Sequence, residues 1–148
     1  MLKKSMKKYE ILEHKADLKI RAFGATKHEL FLNSVLGMEE SMQYEVRKPE
    51  EKVKRQIKVS SPDFTAILVD FLSEVLYLTQ VNKEVYDSVK FEKFSDPSTS
   101  SGQAEIKAEL SGKKIERFGL DIKAVTHHQL DISQKKNGIW EAVIIFDI

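Results

Sequence analysis

The last residues of the chain constrain its fold most. From Ile139 to Phe146 every residue except Glu141 is apolar. Such a run reads as a strand buried on both faces, hence central in a sheet. The stretch before it alternates, with Ile122, Ala124, Thr126 and His128 pointing one way and Lys123, Val125, His127 and Gln129 the other. Asn137-Gly138 between the two is a hairpin signal, because both positions tolerate positive φ. The buried strand then ends on Asp147, beside the α-carboxylate of Ile148. An acid at the tip of the most buried strand requires an explanation.

The remaining elements follow from period and punctuation. Tyr9-Glu-Ile-Leu12 reads as a short strand, and Glu13-His-Lys-Ala-Asp17 as a polar connector. Leu18, Ile20 and Ala22 alternate with Lys19 and Arg21, a half-buried strand. Thr26-Lys-His-Glu29 has the spacing of a capping box, and Leu30, Phe31, Val35, Met38 and Met42 then share one helical face. The spacing predicts a helix over 27–42 that carries Gly37 at a cost of ~1 kcal/mol. A strand is expected over 53–60. Ser61-Pro62-Asp63 marks a helix start, with Ser61 as N-cap and Pro62 at the first helical position. Phe64 to Thr79 is apolar nearly all round, as befits a helix covering a sheet. Val85, Tyr86, Val89 and Phe91 mark another strand, and 96–102 a loop. Ala104 to Leu110 alternates cleanly, ending at Ser111-Gly112. The order β-β-α-β-α-β-β-β-β predicts an α+β, two-layer domain. It would have one mixed, mainly antiparallel sheet, with two helices packed on one face.

Length and charge narrow the function classes. A chain of 148 residues, 41% hydrophobic and 32% charged, suits one domain with a real core. Residues 1–8 carry Lys3, Lys4, Lys7 and Lys8 and are expected to be a basic, flexible tail; residues 9–148 form the domain. No apolar run in the sequence approaches the roughly 20 residues of a membrane span. The absence of cysteine removes thiolate metal sites and disulfides, and fits a cytoplasmic location. A formal net charge of +1 gives no global attraction to nucleic acid, so any such contact must come from a local patch.

No Gly-rich phosphate loop, nucleophile elbow or paired-His zinc motif is present. What remains is acids and histidines at strand ends. His14 and Asp17, three apart in a connector, converge on one point, or Asp17 simply closes a turn. Asp147 and the Ile148 carboxylate form a second candidate, or a solvated end. If the connector lies beside the end of the last strand, three anions meet, and a hard divalent ion would hold them together. With no thiolate, calcium, magnesium or manganese is favoured over zinc. Glu74, within an apolar helix, either faces that site, pairs with a lysine or lies at an edge. His127 and His128, adjacent in an expected strand, face opposite sides and cannot chelate one ion together.

These residues resemble the archease family. Glu13-His-Lys-Ala-Asp17, followed by Ile20, Gly24 and Glu29-Leu-Phe31, is similar to its opening motif. Leu72-Ser-Glu-Val-Leu-Tyr77 resembles its second-helix motif, and Ile122-Lys-Ala-Val-Thr-His-His128 its later strand. The chain also closes on an acid and a hydrophobic residue, as the family does. The resemblance implies a non-catalytic cofactor protein that promotes guanylylation and multiple turnover of an RtcB-type RNA-splicing ligase in tRNA splicing and RNA repair, meeting RNA indirectly through the ligase. It implies a metal site, calcium first, at Asp17, Asp147 and Ile148. His14, Glu74, Lys123, Thr126 and His128 are implied as surrounding or partner-contact residues. Glu13, Lys15 and His127 depart from the family pattern, and the 113–120 segment is shorter. Two other readings stay open, a stand-alone metal-dependent hydrolase and a metal-free binding or chaperone-like module.

Overall fold

The computed structural model describes residues 7–12, 17–96 and 102–148. His14 and most of the expected tail and loop lie outside them. Among the described residues the order is β1 (Tyr9–Leu12), β2 (Asp17–Gly24), α1 (Lys27–Ser41), β3 (Glu45–Val46), β4 (Lys52–Ser61), α2 (Phe64–Asn82), β5 (Glu84–Ser95), β6 (Ala104–Arg117), β7 (Ala124–Val125), β8 (Asp131–Gln134) and β9 (Trp140–Asp147). The α+β class, the two helices and the mainly antiparallel pairing are as expected.

The strands, however, divide into two sheets rather than one. The first runs β1-β2-β9-β7, with β8 also on β9; in the second, β6 pairs with β4, β5 and the short β3. Every pairing among the described residues is antiparallel. The helices do not share one face of one sheet. α1 packs on β1, β2 and β9 of the first sheet and on β5 of the second; α2 packs on β4, β5 and β6 of the second and on β7 of the first. Burial of α1 explains the difference. Besides Leu30, Phe31, Val35 and Met38, its polar Asn33, Ser34, Glu39 and Ser41 are buried. A helix covered over so wide an arc needs a layer on each side. The polar residues are accommodated locally: Asn33 Nδ2 donates to the Phe23 carbonyl at 2.7 Å, and the Ser34 and Ser41 hydroxyls donate to carbonyls one turn back, each at 2.8 Å.

The helix starts follow from their caps. Thr26 Oγ1 accepts the Glu29 N–H at 3.1 Å, as its spacing predicts. The second cap is Asp63, not Ser61: Asp63 Oδ1 accepts the Ala66 N–H at 2.7 Å, and Ser61 closes β4 with its hydroxyl on Asp70. An aspartate nearer the helix caps as well as serine and adds charge at the positive end of the dipole. Against the expectation that no apolar run approaches a membrane span, α2 with its 19 residues is long and apolar enough to cross one by length and composition; in this fold it is a core helix, with Ile67, Leu68, Phe71, Leu72 and Val75 buried.

Two strand expectations change. β6 continues through Ser111-Gly112 to Arg117. Glycine permits this because a Cβ at 112 would lie 1.8 Å from the Val85 carbonyl oxygen. The expected strand over 122–129 breaks after Val125. His128 and Gln129 form a turn, with Gln129 at φ 54°, and pairing with β9 resumes at Asp131. The following hairpin is a three-residue loop: the Gly138 N–H donates to the Lys135 carbonyl at 2.9 Å, and Gly138 alone of the Asn-Gly pair takes positive φ, 88°.

Candidate functional site

β9 is central in the first sheet, between β2 on one side and β7 and β8 on the other. Its register with β2 runs from Gly24↔Trp140 to Asp17↔Asp147. Leu18, Ile20 and Ala22 of β2 and Ala142, Ile144 and Phe146 of β9 are buried toward the helices. Period-two alternation therefore sends Asp17 and Asp147 to the opposite, outward face. As directly opposed residues they share that face, roughly 5 Å apart at Cβ.

The other flank of β9 is fixed by β7. Ala124 is the register partner of Asp147, and the Lys123 N–H donates to the Asp147 carbonyl at 2.7 Å. The Thr126 N–H donates to the Ile145 carbonyl at 3.0 Å. Thr126 Oγ1 in turn accepts the His128 N–H at 3.3 Å, tying the start of the turn to its own strand. That turn carries His128 and Gln129 over the outward face. With Asp17, Lys19 and Ile145 they line a cleft of about 200 Å³. Further along the same face Glu141 lies 3.0 Å from the Arg21 guanidinium and 2.9 Å from the Lys135 ammonium.

The structure thus brings Asp17, Asp147 and, at the cleft wall, His128 to one end of one sheet face. Thr126 holds the turn. Lys123 lines a separate hollow of about 260 Å³ with Ser73, Leu76, Tyr77 and Gln80 of α2. Glu74 is half-buried on α2 and lines neither hollow. His127 and His128 are both exposed, at the turn rather than within a strand, so the expectation of rings on opposite faces of a strand does not apply. Lys19 and Gln129, which line the cleft, had no signal beyond strand alternation.

The donor set suits a hard cation. Two carboxylates directly opposed across an antiparallel pair repel, and the chain offers oxygen with a single imidazole nearby, no sulfur. Among the described residues no three Asp, Glu or His side chains converge. Side chains there would fill part of a coordination shell, as suits an ion that keeps water.

Two buried acids escaped the sequence reading. Glu39, on α1, accepts the Thr79 hydroxyl of α2 at 2.7 Å; burial pushes its carboxyl up to about 8, against the lowering effect of that bond. Glu84, fully buried, accepts Arg55 at 2.9 and 2.7 Å and the Tyr86 hydroxyl at 2.7 Å, with Lys114 at 3.0 Å. Burial raises its pKa, but these donors outweigh it and leave the carboxyl at about 2. Both are structural ties, and neither is signalled by its sequence neighbours: Glu39 is followed by Glu40 and Ser41, and Glu84 is preceded by Asn82 and Lys83.

Fold and site define a small α+β domain whose central strand ends in carboxylates opposed across the sheet. The chain belongs to the archease protein family, which it matches over residues 9–148. It is 38% identical to the protein archease of Methanosarcina mazei over 146 residues, covering 96% of this chain and 97% of that one. Against the Thermococcus kodakarensis protein archease the identity is 30%, covering 97% of this chain and 100% of that one. Among solved structures, protein 1598 of Methanobacterium thermoautotrophicum superposes with a TM-score of 0.72 at 26% identity, over 97% of this chain and 100% of that one. The crystal structure of a Thermotoga maritima archease, described as a possible chaperone, shares the fold with a TM-score of 0.59 at 16% identity, over 99% of this chain and 100% of that one.

Proposed function

We propose that this chain is a non-catalytic activator of an RtcB-type RNA-splicing ligase, promoting guanylylation of the ligase in the cytoplasm. Asp17, Asp147 and the Ile148 carboxylate would hold a divalent ion, calcium first, with magnesium or manganese as alternatives. The observation that carries this reading is the register Asp17↔Asp147, which sets two acids on one face at the end of a central strand. The choice of an RtcB-type ligase as partner rests on the resemblance of the motifs to the archease family. Bound there, the ion would supply charge neutralisation for a triphosphate, which nucleotidyl transfer requires. The chain's own residues position it. β9, paired on both sides, gives Asp147 little freedom, and Lys19 and His128 line the cleft beside it.

A single-turnover guanylylation assay of a cognate ligase tests the reading. Addition of this chain should raise the rate at least tenfold, and Asp147→Asn should remove most of that gain. An unchanged rate with the wild-type chain overturns the proposal. A metal-free chaperone-like module is the second reading, favoured by the description of the Thermotoga maritima relative. Calorimetric titration separates the two, since a module of that kind takes up neither calcium nor magnesium.

A further inference from the structure

The outward face of the second sheet is a lattice of lysines. β6 is its middle strand, flanked by β4 and β5, and the register places side chains in rows across all three. Ile57, Ala104, Ile106, Ala108 and Leu110 are buried toward the helices, so the alternate positions face outward. β4 contributes Lys52, Lys54 and Lys58, β6 contributes Lys107 and Lys113, and β5 contributes Lys90 and Lys93. Against these seven stand Glu105, Glu109 and, at the two bulges of β5, the exposed Asp87 and Glu92, and Asp87 lines one hollow with Lys52, Lys54 and Lys113; the surplus is three positive charges in a chain whose formal net charge is +1.

The rows are not arranged to neutralise themselves. Lys107 is directly opposed by Lys58 on one side and Lys93 on the other, and Lys52 by Lys113. Like charges directly opposite destabilise a sheet. Glu105 reaches Lys93 at 2.9 Å and Glu109 reaches Lys54 at 3.8 Å. Lys93 as hydrogen-bond donor and as charge, with Lys58 and Lys107 adding, holds Glu105 below the usual carboxylate range. Among the described residues no ion pair engages Lys52, Lys58, Lys90, Lys107 or Lys113. The rest of the face is polar: Gln56, Ser60, Ser88, Ser95 and Ser111. The large exposed apolar side chains, Ile11, Tyr77, Val81 and Ile148, all lie elsewhere.

That composition selects among polyanions. A protein partner is usually anchored by buried aromatic or apolar groups, which this face lacks. Single-stranded nucleic acid needs aromatic platforms for its bases, and there are none. What the face offers is ammonium groups for phosphates and hydroxyl and amide groups for sugar oxygens. Duplex RNA is recognised mostly through phosphates and 2′-hydroxyls. We propose that the outward face of β4, β6 and β5 docks the backbone of duplex RNA, without sequence preference. The proposal stands on the charge lattice alone and holds whether or not the chain activates a ligase.

The test is fluorescence anisotropy with a labelled RNA duplex, the DNA duplex of the same sequence, the single strands and polyglutamate, at low and at physiological salt. The RNA duplex should bind tightest. Lys58→Gln/Lys93→Gln/Lys107→Gln should weaken it at least tenfold at low salt and reduce the slope of log K against log salt by about 2–3. Lys135→Gln/Lys136→Gln, with lysines at the β8–β9 hairpin of the first sheet, should leave both unchanged. The row variant relieves like-charge repulsion but also removes the Lys93–Glu105 pair, so its melting curve is recorded beside the binding data to show that it is folded. An RNA affinity unaffected by the row variant, equal losses in both variants, or tighter binding of DNA, single strands or polyglutamate overturns the proposal.

Discussion

The two sheets share a core and differ in what they turn outward. The first ends in acids, with Asp17 opposed to Asp147 in the middle of the sheet. The second carries lysines in rows, three of them in register at Lys58, Lys107 and Lys93. Each face keeps like charges side by side where alternating signs would be more stable. The near-neutral total of the chain conceals both. Their inward sides differ as well. The first sheet faces the core with apolar side chains such as Ile20, Ile144 and Phe146, whereas the second buries Glu84 at the start of β5. Charge repulsion on the lysine face is therefore borne by a sheet whose other side is stapled by an ionic cluster joining β4, β5 and β6 through Arg55, Glu84 and Lys114.

Removing that staple is the largest single change expected. Glu84→Ala leaves Arg55, Lys114 and Tyr86 without their shared acceptor and should cost about 3–5 kcal/mol in urea unfolding. A Glu84 carboxyl held at about 2 also contributes stability that is present above the unfolded value of 4.5 and is lost as pH falls toward 2. The variant's stability should consequently vary less with pH across that window. A cost below about 1 kcal/mol would mean the second sheet does not depend on the cluster.

Between the sheets lies the second-largest effect. Glu39 joins α1 to α2 through Thr79, with burial pushing its carboxyl up from 4.5 to about 8. The folded state then holds a proton that the unfolded state releases, so the cost of this one group is absent below about pH 4.5 and grows as pH rises to 8. The size is roughly 4 kcal/mol across that range. Glu39→Gln should flatten the slope. Parallel melting curves of variant and wild type at acid and at mildly alkaline pH would show that Glu39 is not the group responsible.

Much of this architecture is legible in the residues. The central place of β9 follows from its apolar run, and the start of α1 from Thr26 and Glu29. The opposition of Asp17 and Asp147 was reached only as a conditional, because nothing in either segment states their register. The division into two sheets was not legible. It depends on α1 burying Asn33, Ser34 and Glu39, polar residues that pattern reading assigns to solvent, and each is accommodated by a hydrogen bond visible only in three dimensions. The strand break after Val125 was missed because 122–129 alternates without interruption, and Gln129 takes a left-handed φ that its type does not announce. The lysine lattice was hidden for a related reason. Lys58, Lys93 and Lys107 are far apart in sequence, and only the ladder of β6 aligns them.

The smallest effects sharpen the contrast between the faces. In metal-free, low-salt buffer, Asp147→Asn and Lys107→Glu should each stabilise the protein by roughly 0.2–1 kcal/mol, because each removes a like charge from a directly opposed row. Added calcium should then separate them. It should raise the melting temperature of the wild type and of Lys107→Glu alike, since both keep the two acids, and leave Asp147→Asn nearly unmoved. Added salt should shrink both gains through screening. If calcium raises Asp147→Asn as much as the wild type, the first face is not where the ion binds, and the acids at the ends of β2 and β9 serve contact with another molecule instead.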